Sequence, residues 1–97
     1  MTSHDIQLSL QIVPLDDRST AYQTIDKAIE IIQKSGLTYL ITPMETVIQG
    51  PYEKVQKVAF EAQKAVAEAG TMEFLVYTKM HIRMNGNVTM EEKRLQR

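Results

Sequence analysis

Residues 6–13 read IQLSLQIV, and this strict alternation constrains the chain more than any other feature. Successive side chains of an extended strand point to opposite sides. Ile6, Leu8, Leu10 and Ile12 therefore share one face, and Gln7, Ser9 and Gln11 share the other. Such a segment is a half-buried strand, which needs a sheet covered on one side and open on the other. Pro14 ends it, because proline cannot donate to a sheet ladder.

The next segment supplies a cover. Asp16, Asp17, Ser19 and Thr20 are candidate N-caps, and a capping role accounts for the paired carboxylates there. Tyr22, Ile25, Ile29 and Ile32 recur at helical spacing with Ala28 beside them, which predicts an amphipathic helix. Gly36 stands where a left-handed C-cap belongs, after Lys34 in the last turn.

Leu37 to Gly50 reads LTYLITPMETVIQG, rich in β-branched and aromatic residues. Pro43 splits it into strands at about Thr38–Thr42 and Met44–Gln49. They form either a hairpin or one long bent strand with a bulge. Gly50-Pro51 opens a second helix, with proline at its first position. Val55, Val58, Ala59, Ala62, Ala65, Val66 and Ala69 make its buried stripe, so it can approach a sheet closely. Phe60 and Ala67 lie off that stripe.

Phe74 to Met84 alternates again, with Phe74, Val76, Met80 and Ile82 on one side and Tyr77, Lys79, His81 and Arg83 on the other. Asn85-Gly86-Asn87 is a turn. Thr89 and Glu92 have capping-box spacing, which predicts a short third helix to about Arg97.

The order is strand, helix, strand, strand, helix, strand. It predicts an α+β, ferredoxin-like βαββαβ sandwich spanning residues 1–97 as a single domain. A four-stranded antiparallel sheet carries two helices on one face, followed by the short C-terminal helix. A 97-residue chain buries only about 60–65% of its unfolded surface, so self-association is expected.

Composition narrows the function. Eleven basic and 12 acidic residues give a net charge of -1, which does not favour nucleic acid or an anionic membrane as partner. No apolar stretch has the ~18–20 residues that span a bilayer. The N-terminus lacks the pattern of a signal peptide, and the absence of cysteine fits a reducing compartment, so a cytoplasmic location is expected. His4 and His81 stand alone, without metal-ligand spacing, so neither a metal nor a cofactor is expected. No nucleophile elbow, phosphate-binding loop or dinucleotide motif occurs. Arg18 lacks the glycine-rich cradle of an acylphosphatase, and Tyr77 and Tyr39 lack the aromatic-basic signature of an RNA-binding sheet.

The chemistry is thus concentrated on the open sheet face. If Met44, Thr46 and Ile48 point at the helices, Glu45, Val47 and Gln49 point outward; a register slip reverses the set. Three readings compete. The face is merely solvated, or it joins subunits sheet to sheet with Lys79 or Arg83 meeting Glu45, or it forms a pocket for a small polar ligand.

The segment Ser35-Gly36-Leu37-Thr38-Tyr39, the run Thr42-Pro43-Met44-Glu45-Thr46-Val47-Ile48-Gln49-Gly50 and the Val13-Pro14-Leu15 corner resemble the small thiamine-binding proteins, as does Thr89-Met90-Glu91-Glu92-Lys93. The resemblance covers nearly the whole chain. It implies a homo-oligomer, commonly a tetramer, that binds thiamine or its hydroxymethylpyrimidine part as carrier or sensor and is not an enzyme. Two positions depart from that family's pattern: Glu45 stands where glycine is usual, and Gln49 where glutamate is usual. An aminopyrimidine needs a donor-acceptor pair and a flat apolar wall, and a thiazolium needs a carboxylate, a π face or a sulfur. Ser9, Gln11, Thr42, Thr46 and Gln49 are the candidate polar partners, Met44 and Tyr77 the walls, and Glu45 the charge. The competing expectation is a structural or regulatory oligomer that binds no ligand or another metabolite.

Overall fold

A computed structural model describes residues 1–16 and 18–94. The elements are β1 (Asp5–Pro14), α1 (Ala21–Lys34), β2 (Thr38–Ile41), β3 (Thr46–Pro51), α2 (Tyr52–Glu68) and β4 (Phe74–His81). Short 3-10 turns cover Arg18–Thr20 and Glu91–Lys93. The strands form one antiparallel sheet in the order β2-β3-β1-β4. This is the ferredoxin-like α+β fold expected from the sequence.

Register explains which residues are buried. Leu8 pairs with Ile48 on one side and Met80 on the other, so all three face the helices. Ile6, Leu8, Leu10 and Ile48 make a core with Ala28 and Ile32 of α1 and with Val55, Val58, Ala59, Ala62 and Val66 of α2. The alanines let α2 lie close to the sheet. Gly50 serves the same closeness, since a Cβ there would meet the Leu37 side chain at 3.0 Å and Val55 at 3.5 Å. Gly36, at φ +81°, provides the left-handed exit from α1 that side chains disfavour.

Four local expectations need correction. Residues 42–45 form a tight hairpin turn rather than strand ends, so β3 starts at Thr46 and Met44 is exposed. The cause is Thr42, whose side chain and backbone both bond Glu45 across the turn. At α2, Pro51 remains in β3 and takes the N-cap position, so the helix begins at Tyr52. Asp16, expected as a cap of α1, reaches instead to the segment before β4, where its carboxylate accepts the Met72 amide at 2.8 Å. Asp17 lies outside the described residues. The Thr89–Glu92 capping box forms, with bonds of 2.9 and 3.2 Å, but opens only a 3-10 turn. Residues 95–97, where the predicted helix would have ended, lie outside the described residues.

Candidate functional site

The eight candidate site residues fall into three places. The division follows from strand lengths. Pairing of β1 with β3 runs from Asp5↔Pro51 to Leu10↔Thr46, whereas β1 continues along β4 as far as Pro14↔Phe74. A notch therefore opens beside β1 from Gln11 onward, roofed by α1 and closed by the 42–45 turn.

This notch is a cleft of about 210 Å³. Gln11, Thr42, Met44, Glu45 and Thr46 line it, together with Tyr22, Ile25 and Ile29 of α1 and Ile41 of β2. Tyr22, Ile25 and Ile29 were expected in the core stripe. Instead Tyr22 is 87% exposed and the two isoleucines are half-buried, because only Ala28 and Ile32 of that stripe reach the sheet. Their width beyond the core contact is the sequence signal for an apolar wall. Thr46 faces the helices and is buried. The Thr42 hydroxyl donates to the Glu45 carbonyl at 2.7 Å and accepts the Met44 and Glu45 amides at 3.3 and 3.1 Å. Those three bonds use its full capacity. Thr42 therefore fixes where Glu45 stands and offers nothing to a ligand directly.

On the other side of the same ridge lies a shallow basin of about 490 Å³ on the open sheet face. Ser9, Gln11, Glu45 and Tyr77 line it with Lys79. Gln11 and Glu45 belong to both hollows. Lys79 Nζ lies 3.7 Å from a Glu45 carboxylate oxygen, so the contact foreseen between subunits is made within one chain. Leu40, Leu75 and Tyr77 are exposed on this face, and Val47 is half-buried.

Gln49 stands apart from both. Its Oε1 accepts the Met90 amide at 2.8 Å and Gln7 Nε2 at 3.3 Å, while Lys93 Nζ donates to Gln7 Oε1 at 2.8 Å. The C-terminal segment therefore crosses the open face over Gln7 and Gln49, which leaves Gln7 buried although it sits on the polar side of β1. Asn87 and Val88 dock the same segment against Asp5, with Val88 fully buried. Arg83, the other partner foreseen for Glu45, instead holds Glu92. The Arg83 hydrogen bonds, then the Thr89 amide, hold the Glu92 carboxyl down at about 2, with smaller help from the charges of Arg83 and His81.

Among the described residues, no group of three or more histidine or acidic side chains is placed to hold a metal ion. No described helix is long and apolar enough to cross a membrane.

Comparison with known proteins gives this geometry a context. Residues 8–96 match the family described as thiamine-binding protein. A UPF0045 protein of Clostridium perfringens is 33% identical over 86 residues, covering 89% of this chain and 90% of that protein. Among solved structures, a domain of unknown function, DUF77, from Bacillus cereus is 35% identical, with a TM-score of 0.88 over 94% of this chain and 88% of that one. A Thermotoga maritima protein described provisionally as one of thiamine biosynthesis or salvage is 25% identical, with a TM-score of 0.83 over 92% of this chain and 94% of that one. Matched over almost its full length by sequence and by fold, the chain belongs to the thiamine-binding protein family.

Proposed function

We propose that this protein binds thiamine, or its hydroxymethylpyrimidine half, without chemical turnover, as a cytoplasmic carrier or sensor built as a homo-oligomer. The observation that carries the reading is the pairing of two unlike hollows across Gln11 and Glu45 in a chain of this family.

Size and chemistry support it. Ligand pockets for whole drug-sized molecules run from about 300 Å³ upward. The 210 Å³ cleft suits a single ring, with Ile25, Ile29 and Met44 as flat apolar contacts. The Gln11 carboxamide offers a donor and an acceptor in one plane, as an aminopyrimidine edge requires. The second ring then passes over the ridge toward the basin, where Glu45 provides the negative charge that a thiazolium needs. The cleft lining contains one carboxylate and no histidine or cysteine, which favours binding over catalysis. Exposed Leu40, Leu75 and Tyr77 on the open face favour sheet-to-sheet association of subunits, as in a tetramer.

Calorimetric titration tests this reading. Saturable binding of thiamine and of hydroxymethylpyrimidine is expected, with thiamine weakened by Glu45→Gln and both ligands weakened by Ile29→Ala. Absence of binding of either compound at millimolar concentration contradicts it. A structural oligomer would then be the better account, favoured by the way the chain's own C-terminal segment already occupies Gln7 and Gln49.

A further inference from the structure

Lys79 lies on β4 and Glu45 ends the turn that leads into β3, and β3 and β4 do not touch, since β1 lies between them. Ser9 of β1 pairs with Lys79 on one side and with Val47 on the other, and Glu45 precedes Val47 by two residues. The lysine side chain therefore crosses β1 above a serine, the small side chain that leaves room for it, to reach the carboxylate. Its ammonium occupies the ground beside Glu45 that a ligand cation entering the basin would need.

We propose that Lys79 is a tethered counter-cation, which neutralises Glu45 in the empty site and must be displaced by a positively charged ligand but not by a neutral one. This rests on the assignment of Glu45 to the ligand cation made above. The lysine is built for release. Its side chain is 78% exposed, whereas that of Glu45 is 31% exposed, so the lysine can swing into water while the carboxylate stays with the site. The contact is a single one at 3.7 Å, not a fork of two bonds. An ammonium on a flexible four-carbon stem leaves a carboxylate more readily than a planar guanidinium does. Because exposed pairs are weak, the competition is a fine adjustment, worth about two- to fivefold in affinity. It would lower discrimination in favour of cations and keep a carrier's affinity within a releasable range.

The test is a calorimetric comparison of thiamine, a permanent cation, with neutral hydroxymethylpyrimidine on the wild-type protein and on Lys79→Met, Glu45→Gln and the double variant. Lys79→Met should tighten thiamine about two- to fivefold and leave hydroxymethylpyrimidine unchanged. The gain should shrink at about 0.5 M salt, where exposed charges are screened. In the Glu45→Gln background, Lys79→Met should bring no gain, since its competitor's target is gone. Thiamine affinity unchanged or weakened in Lys79→Met overturns the proposal, as does equal tightening of both ligands, which would indicate simple steric clearance. Binding of thiamine that is indifferent to Glu45→Gln contradicts the assignment of Glu45 and overturns both. A wild-type protein that binds neither compound likewise overturns both. Lys79→Gln, which keeps a polar chain without charge, should behave as Lys79→Met does and guards against a folding defect in the latter.

Discussion

Arg83 grips Glu92 through two hydrogen bonds, Nη1 to Oε1 at 3.1 Å and Nη2 to Oε2 at 2.9 Å, and so clamps the C-terminal segment to the end of β4. Arg83 Nη1 also donates to the Asn87 carbonyl at 2.6 Å, which ties the clamp to the turn that precedes it. The pair gives the fold a specific acid sensitivity. An unfolded glutamate titrates at about 4.3, whereas the Arg83 and Thr89 hydrogen bonds hold Glu92 in the folded chain down at about 2. Because the folded value is the lower one, the stabilising contribution is fully present above the unfolded value and is lost as pH falls from about 4.3 toward about 2. Wild type should therefore melt above Glu92→Gln at neutral pH, and the gap should close across that acid window. A gap that stays constant from neutral pH to the acid end would show that Glu92 acts through something other than its charge.

Gln49 gives a second prediction. Its Oε1 accepts from both Met90 and Gln7, so the position needs an acceptor rather than an amide. Gln49→Ala should cost about 1 kcal/mol by leaving the Met90 amide unpaired under the C-terminal segment. Gln49→Glu, which keeps an acceptor oxygen at this position, should retain most of that stability. Urea denaturation separates the two, and equal losses would contradict the acceptor role.

Packing at Gly50 gives a third. A Cβ at this position would press the Leu37 side chain at 3.0 Å, and Leu37 must move to make room. Gly50→Ala should destabilise by about 1–2 kcal/mol through overpacking. In a Leu37→Ala background the same change should cost little, so a double-mutant cycle should find strong coupling between the two sites. Additive effects would place the strain elsewhere.

The Thr42 hydroxyl holds Glu45 in place by bonding its amide and its carbonyl. Thr42→Val should cost about 1 kcal/mol and weaken thiamine binding, although Thr42 itself is not assigned to the ligand. Thr42→Ser should preserve both. Thiamine binding that survives Thr42→Val unchanged would mean that the turn does not position the carboxylate.

The strongest periodicities in the sequence correspond closely to the core. The alternation of Ile6, Leu8 and Leu10 and the small-residue stripe of Val55, Ala59, Ala62 and Val66 each bury the residues they mark. The site was less legible, because it depends on where pairing stops rather than on which residues pair. Nothing in LTYLITPMETVIQG states that β3 begins at Thr46 and leaves β1 unaccompanied from Gln11 onward. Tyr22, Ile25 and Ile29 fit a core stripe equally well on periodicity, and only the depth to which α1 seats on the sheet makes them a wall. Gln49 looked like a ligand residue because it is polar and on the open face. Its partner, the Met90 amide, lies 41 residues away, and a backbone donor has no signature in sequence. Lys79 and Glu45 were recognisable as a complementary pair, but the intrachain path over Ser9 required the register.

Methyl-labelled NMR during a thiamine titration distinguishes a ligand that sits in the α1 notch and crosses the Gln11–Glu45 ridge from one bound elsewhere. The methyl signals of Ile25, Ile29, Ile41 and Met44 should shift in a saturable manner, while Val88, buried where the C-terminal segment docks on Asp5, should stay fixed. Saturable shifts confined to residues away from the notch, or no shifts at millimolar thiamine, would contradict the account.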